Sequence, residues 1–372
     1  MMKAISLLPG TSELSLEDVK EPGIKQPDEL KLKVIEVGIC GTDREEANGG
    51  RADAPKGKEK LIIGHEMFGE VVEVGDAVKT VKKGDFGLFS VRRGCGKCVA
   101  CLNNRSDMCL TGDYTERGIK EADGYQCEFV VDREQYFIKV PKEIKDIGVL
   151  TEPMSVAAKA IDEALLLQKK RFEDFEDAST WLKGKKALVA GVGAVGILGA
   201  IILRLKGAEV YGLDIVDKDS LRPKVLEEIG GKYIDGREVK TMNLDDTFGE
   251  VDFIFEAVGV ANLQMELIDV LGINGIYVAT GIPMGNRPTN ISAAELMRQL
   301  VLKNQIVLGS VNASPANYRM AVEALVEGKK KWPGAISKLI TDHIPLSEFD
   351  PALHHHSPNE IKVVINWENA DL

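Results

Sequence analysis

Four cysteines crowd into residues 95–109, where Cys95, Cys98, Cys101 and Cys109 follow the spacing C-x2-C-x2-C-x7-C. Four thiolates on one short loop can close a tetrahedral shell around zinc and leave no open position, so the spacing predicts a structural metal site. An iron–sulfur cluster is the competing reading, but the proline that usually follows the last cysteine of such a run is absent. A second set is dispersed: Cys40 in GIC-GTD, His65 in GHE and Glu152 in TEP. Singly each is bland. Together they are the mixed soft and hard ligands of a zinc that keeps one position for water or substrate, with Glu66 beside His65 as an outer or exchangeable ligand.

A third constellation is Gly191-Val192-Gly193-Ala194-Val195-Gly196, a G-x-G-x-x-G that follows an apolar strand pattern and opens a helical one. Its glycines allow a tight turn, close approach of a pyrophosphate and close helix–strand packing. The phosphates would rest on the positive end of the helix. Asp214 ends the next strand pattern, EVYGLD, about twenty residues on, where a carboxylate accepts from a ribose 2′-hydroxyl and repels a 2′-phosphate. No arginine follows it directly, so NAD is favoured and NADP is the alternative. Ala257, Val258 and Gly259, with Thr280 and Gly281, close two later strand patterns and complete the expected dinucleotide surface.

Two types of scaffold must hold these groups. Residues 3–140 are rich in short β-branched runs broken by Gly, Asp and Pro, which predicts a mostly β domain. From Lys186 strand and helix patterns alternate through KALVAGVG, EVYGLDI, VDFIFEAVG, GIYVATGI and QIVLGSV, which predicts a doubly wound parallel sheet. MSVAAKAIDEALLLQ and NYRMAVEALVEG read as helices. The chain of 372 residues exceeds one ordinary core, and two domains follow. The expected division is an α/β architecture with residues 1–157 and 312–372 in the catalytic domain and 158–311 in the dinucleotide domain.

A net charge of −11 excludes nucleic acid and anionic membrane as natural partners. There is neither a signal-peptide h-region nor a run of 18 apolar residues, so a cytoplasmic location is expected. In that compartment clustered thiols ligate metal rather than pair as disulfides.

GHE followed by EVVEVG, the four-cysteine lobe, and G-x-G-x-x-G with its distal Asp occur in an order that resembles the zinc-dependent medium-chain dehydrogenase/reductase superfamily. CGTDREEANG, VRRGCGKCVACLNNRSDMC, ERGI, LTEPMSV and GSVNAS are most similar to archaeal-type glucose (aldose) 1-dehydrogenases. The resemblance implies a GroES-like β-barrel catalytic domain around a Rossmann-type domain. It implies two zinc ions per subunit and oxidation of an aldose, D-glucose foremost, at C1 to the lactone. It places Cys40, His65, Glu66 and Glu152 at the catalytic zinc and makes Thr42 the hydroxyl that relays the substrate proton. Glu116, in ERGI, falls on a carboxylate near sugar and metal, and Asn312 on an asparagine near sugar and nicotinamide. A homodimer or homotetramer is implied as well.

Some positions depart from the pattern. Val91 stands where some members have a sugar-contacting asparagine, Val156 where some have aspartate, and Leu302 where some have histidine. Glu45 replaces a relay histidine common in alcohol dehydrogenases. The competing functions are a zinc dehydrogenase of another polyol, a threonine-like amino alcohol or a simple alcohol, and, from another class, a non-catalytic nucleotide-binding redox sensor.

Overall fold

The computed structural model describes residues 1–172, 178–283, 288 and 290–368. The chain forms two compact units, Met1–Ser155 with Asn312–Val326 and Ile340–Leu372, and Val156–Val311 with Glu327–Leu339.

The first unit is built on a seven-stranded sheet. Its path runs Phe137–Val140, Phe86–Phe89, Glu66–Val74, Glu29–Ile39, Lys362–Asn366 and Ile340–Pro345, and Phe129–Arg133 also pairs with Glu29–Ile39. In that central strand Leu30, Leu32 and Val34 alternate inward with half-buried neighbours, as a period of two requires. Register shifts at Lys31/Leu32 and Val34/Glu36 bend it against Glu66–Val74. Phe68, Phe89, Tyr125, Tyr318 and Trp367 are fully buried. The Trp367 indole N–H donates to Gln126 Oε1 at 2.8 Å, so its one polar atom is satisfied.

A Cβ at Gly38 would lie 2.2 Å from Glu66 Oε2, directly across the register pair Gly38–Glu66. Only glycine leaves that carboxylate room between the strands.

The second unit carries six parallel strands in the spatial order Lys232–Asp235, Glu209–Asp214, Lys186–Ala190, Val251–Glu256, Leu271–Ala279 and Ile306–Gly309. In chain order this is 3-2-1-4-5-6, the dinucleotide-binding arrangement. The helix Ala194–Leu205 buries every residue from Gly196 to Leu203, which explains its nearly all-apolar composition. The strand Lys232–Asp235 has no counterpart among the sequence patterns, because KYID is short and polar at both ends.

Among the described residues, no helix is long and apolar enough to cross a membrane.

Candidate active site

Cys40 caps the short helix Gly41–Ala47, and its backbone N–H donates to Asp43 Oδ2 at 2.7 Å. The other Asp43 oxygen lies 3.4 Å from His65 Nδ1, and the carboxylate is completely buried. One buried carboxylate is thus hydrogen-bonded to the Cys40 backbone and sits at ion-pair distance from the His65 ring. Burial disfavours a charged His65, but Asp43 and Cys40 outweigh it and hold its pKa well above the ordinary value.

Ligand atoms of Cys40, His65 and Glu66 lie within 4.8 Å of one another. This is the spread of donors around a single divalent ion. Glu66 begins the strand Glu66–Val74 and accepts from Lys362 Nζ at 2.8 Å, which also donates to the Ile39 carbonyl at 3.1 Å. Both partners are sealed from solvent, and the pair neutralises a carboxylate that burial would otherwise penalise.

Glu152, in the first turn of the helix Thr151–Arg171, is not within that 4.8 Å group. Its carboxyl is pushed up to about 7 by burial, opposed by His65 and reinforced by Glu66. Glu46 is fully buried with neither oxygen hydrogen-bonded, and burial with the nearby Asp43 charge raises it to about 9. The Thr42 side chain is half-buried on the same helix.

The sulfurs of Cys95, Cys98, Cys101 and Cys109 converge within 4.8 Å, and all four are free thiols. Backbone N–H groups of Cys98, Cys101 and Leu110 point at Cys95 or Cys98 sulfur. The Thr111 hydroxyl draws the Cys109 thiol down to about 6, while burial and neighbouring thiols push Cys101 up to about 12. A shell of four sulfurs carrying N–H···S bonds suits a thiophilic divalent ion.

Glu116 and Asn312 meet. Asn312 adopts a left-handed backbone with φ 62°, and its Nδ2 donates to Glu116 Oε1 at 2.7 Å. Val91, whose side chain is buried, donates its N–H to the Tyr318 hydroxyl at 3.3 Å.

In the second unit Gly191 has φ +86°, and a Cβ on Gly196 would lie 1.7 Å from the Gly191 carbonyl oxygen. Gly193 caps the helix that begins at Ala194 and continues through Val195. Asp214 ends its strand, where its two oxygens accept from Val192 N–H at 2.8 Å and Ile215 N–H at 2.7 Å. Buried Glu256 ties the next turns together: Oε1 accepts from Val258 and Gly259 N–H at 2.7 Å, following Ala257. Its backbone carbonyl accepts from the Thr280 hydroxyl at 2.7 Å, and Gln264 bridges its Oε2 to the Gly281 carbonyl.

Sequence reasoning missed Asp43, Lys362 and Glu256. Asp43 carried a usable signal, since Cys-x-x-Asp at a helix start is a capping spacing. Lys362 carried none, being 296 residues from Glu66.

Residues 26–142 match the alcohol dehydrogenase GroES-like domain, and residues 145–367 match the family described as glucose dehydrogenase C-terminus. Glucose 1-dehydrogenase 2 of Vulcanisaeta moutnovskia is 38% identical over 368 residues, covering 98% of this chain and 99% of that protein. Glucose 1-dehydrogenase of Thermoproteus tenax is 35% identical over 367 residues, with coverage of 98% and 99%. Among solved structures, Haloferax mediterranei glucose dehydrogenase in complex with NADP, Zn and gluconolactone superposes with a TM-score of 0.87 at 29% identity, covering 98% of this chain and 99% of that one. Two domain matches in tandem and full-length relatives establish that the chain belongs to the glucose dehydrogenase family of the zinc-dependent medium-chain dehydrogenase/reductase superfamily.

Proposed function

We propose that the protein oxidises an aldose, D-glucose foremost, at C1 to the lactone with transfer of hydride to a nicotinamide dinucleotide. The observation that carries this reading is the convergence of Cys40, His65 and Glu66, braced by Asp43 and Lys362, in a chain of this family. Cys40, His65, Glu66 and Glu152 would hold a catalytic zinc, and the four-cysteine lobe a structural one. When bound, zinc acidifies the substrate hydroxyl and the nicotinamide accepts hydride.

The protein's own groups do the rest. Asp43 keeps the His65 ring in one orientation, and Lys362 holds Glu66 to one side. The Thr42 hydroxyl, with no hydrogen-bond partner among the described residues, carries the substrate proton towards solvent. Glu116 and Asn312 bind the sugar. Gly191, Gly193 and Gly196 cradle the pyrophosphate at the start of the Ala194–Leu205 helix.

NAD is the preferred acceptor on this reading. Asp214 is the carboxylate at the end of the second strand, and Arg237, beyond the following strand, is already paired with Asp235. The open edge strand Ile306–Gly309 and the helix Ala293–Leu302 expose Val307, Met297, Val301 and Leu302, a surface that a second copy would cover in a homo-oligomer.

Another aldose or polyol is favoured to the extent that Val91 offers no side-chain polar group. The test is the initial rate of NAD and NADP reduction by zinc-loaded protein with D-glucose, other aldoses, polyols, threonine and simple alcohols. Chelator-sensitive reduction of NAD with an aldose supports the reading. Turnover only of a non-sugar alcohol overturns the substrate, and no turnover at all points to the sensor.

A further inference from the structure

Arg92 and Glu116 are register partners in the small antiparallel pair formed by Arg92–Arg93 and Thr115–Arg117. The Arg92 guanidinium is nearly sealed from solvent and every nitrogen is used. Nε and Nη2 donate to Glu116 Oε1 at 3.0 and 2.9 Å, and Nη1 donates to the Asp107 carbonyl at 2.7 Å. The Tyr114 ring covers the guanidinium at 4.1 Å.

The arrangement is asymmetric. A guanidinium usually meets a carboxylate as a fork, one nitrogen to each oxygen. Here both nitrogens, and Asn312 Nδ2 as well, converge on Oε1. Three donors on one oxygen fix the plane of the carboxylate, and Oε2 has no hydrogen-bond partner within the described residues. The far end of the hold is also built in. Asp107 lies on the turn Ser106–Met108 inside the four-cysteine lobe, and its own buried carboxylate is pinned by Arg105 at 2.8 Å.

We infer that Arg92 is a positioning residue for the sugar: it holds Glu116 by one oxygen so that the other is presented to a substrate hydroxyl, with the four-cysteine lobe as its anchor. The inference rests on the aldose reading above and adds to it the residue that sets how well the sugar is bound. A lysine cannot replace it, because a single ammonium cannot reach both Oε1 and the Asp107 carbonyl with a planar fork.

The test compares the unmodified protein with Arg92→Lys, Arg92→Gln, Glu116→Gln and the double variant Arg92→Gln/Glu116→Gln. Readouts are steady-state KM and kcat for the aldose, calorimetric affinity for the aldose, dinucleotide affinity by fluorescence, and melting temperature. Arg92→Gln should raise the aldose KM and dissociation constant about 10- to 100-fold, as for loss of hydrogen bonds to a charged group, with kcat changed less than about threefold. Arg92→Lys should fall between, and dinucleotide affinity should not move. In the Glu116→Gln background the Arg92→Gln change should add less than about threefold, because the two act through one oxygen.

An unaltered aldose KM and affinity in a folded Arg92→Gln protein would overturn the inference, as would fully additive effects in the double variant. If Arg92→Gln fails to fold, Arg92→Lys decides by the same readouts. Absence of aldose turnover in the unmodified protein overturns the aldose reading and the inference together, and that outcome is visible before any variant is made.

Discussion

Asp43 reaches Cys40 with one carboxylate oxygen and His65 with the other, at 2.7 Å to the Cys40 backbone nitrogen and 3.4 Å to His65 Nδ1. Two candidate ligands 25 residues apart in sequence thus share one buried acid. Replacing it with alanine should lower metal affinity and kcat/KM about 10- to 100-fold, the usual cost of removing a group that orients a ligating imidazole. Metal content after dialysis checks the first effect. Dinucleotide affinity should be unchanged.

Lys362 faces Glu66 with side chains 4% and 1% exposed. Lys362→Met leaves a buried carboxylate without its cation and should destabilise the protein by about 3–5 kcal/mol. Urea unfolding of metal-free protein measures it. The double variant Lys362→Met/Glu66→Gln should recover much of the loss.

Asp132 lies between Arg93 at 2.7 Å and Arg117 at 2.5 Å. Burial raises its pKa, but Arg117 and Arg93 outweigh this and hold it below the usual aspartate value. An acid depressed in the folded state stabilises above its unfolded pKa of about 3.9 and loses that contribution as pH falls through the folded value. Asp132→Asn should therefore be less stable than the parent at pH 7, and the two should converge below about pH 4. Denaturation midpoints from pH 7 to pH 3 test the sign.

A methyl group at Gly196 would sit 1.7 Å from the Gly191 oxygen, closer than any real contact. If the glycine turn cradles the pyrophosphate as proposed, Gly196→Ala should reduce dinucleotide affinity by more than about 100-fold, because that turn must open. The four-cysteine lobe should keep its metal. Fluorescence titration with NADH, beside zinc analysis, separates the two.

Cys127 is buried, and burial pushes its thiol up to about 12. Native, metal-free protein should therefore label fastest at Cys109, whose thiol is drawn down to about 6, and more slowly at Cys101, while buried Cys127 should react only after denaturation. Mass spectrometry of alkylated peptides identifies the slow one.

Local signals were legible in advance. The glycine turn and the four-cysteine lobe each lie within a few residues, and their chemistry depends on backbone conformation and spacing alone. The parallel strands were readable because burial on both faces makes them continuous apolar runs, as in VDFIFEAVG. Lys362, Arg92 and Glu256 were not, since each matters through a partner that pairing brings alongside. A lysine near the end of a chain reads as surface until the strand Lys362–Asn366 is laid against Glu29–Ile39. Glu152 lay between these cases. Its burial and its raised pKa among His65 and Glu66 fit a charged site, while its carboxylate stays outside the 4.8 Å group.

The strand Lys362–Asn366 lies inside its sheet, flanked by Glu29–Ile39 and Ile340–Pro345. During synthesis the first strands therefore wait for a neighbour that emerges 323 residues after Ile39, roughly 16–65 s at about 5–20 residues per second. The continuous stretch Val156–Val311 can settle within that interval, while Glu66 still lacks its counter-charge. The topology thus lets the middle of the chain order before its beginning, and a metal arriving early at Cys40 and His65 would meet a half-made cage.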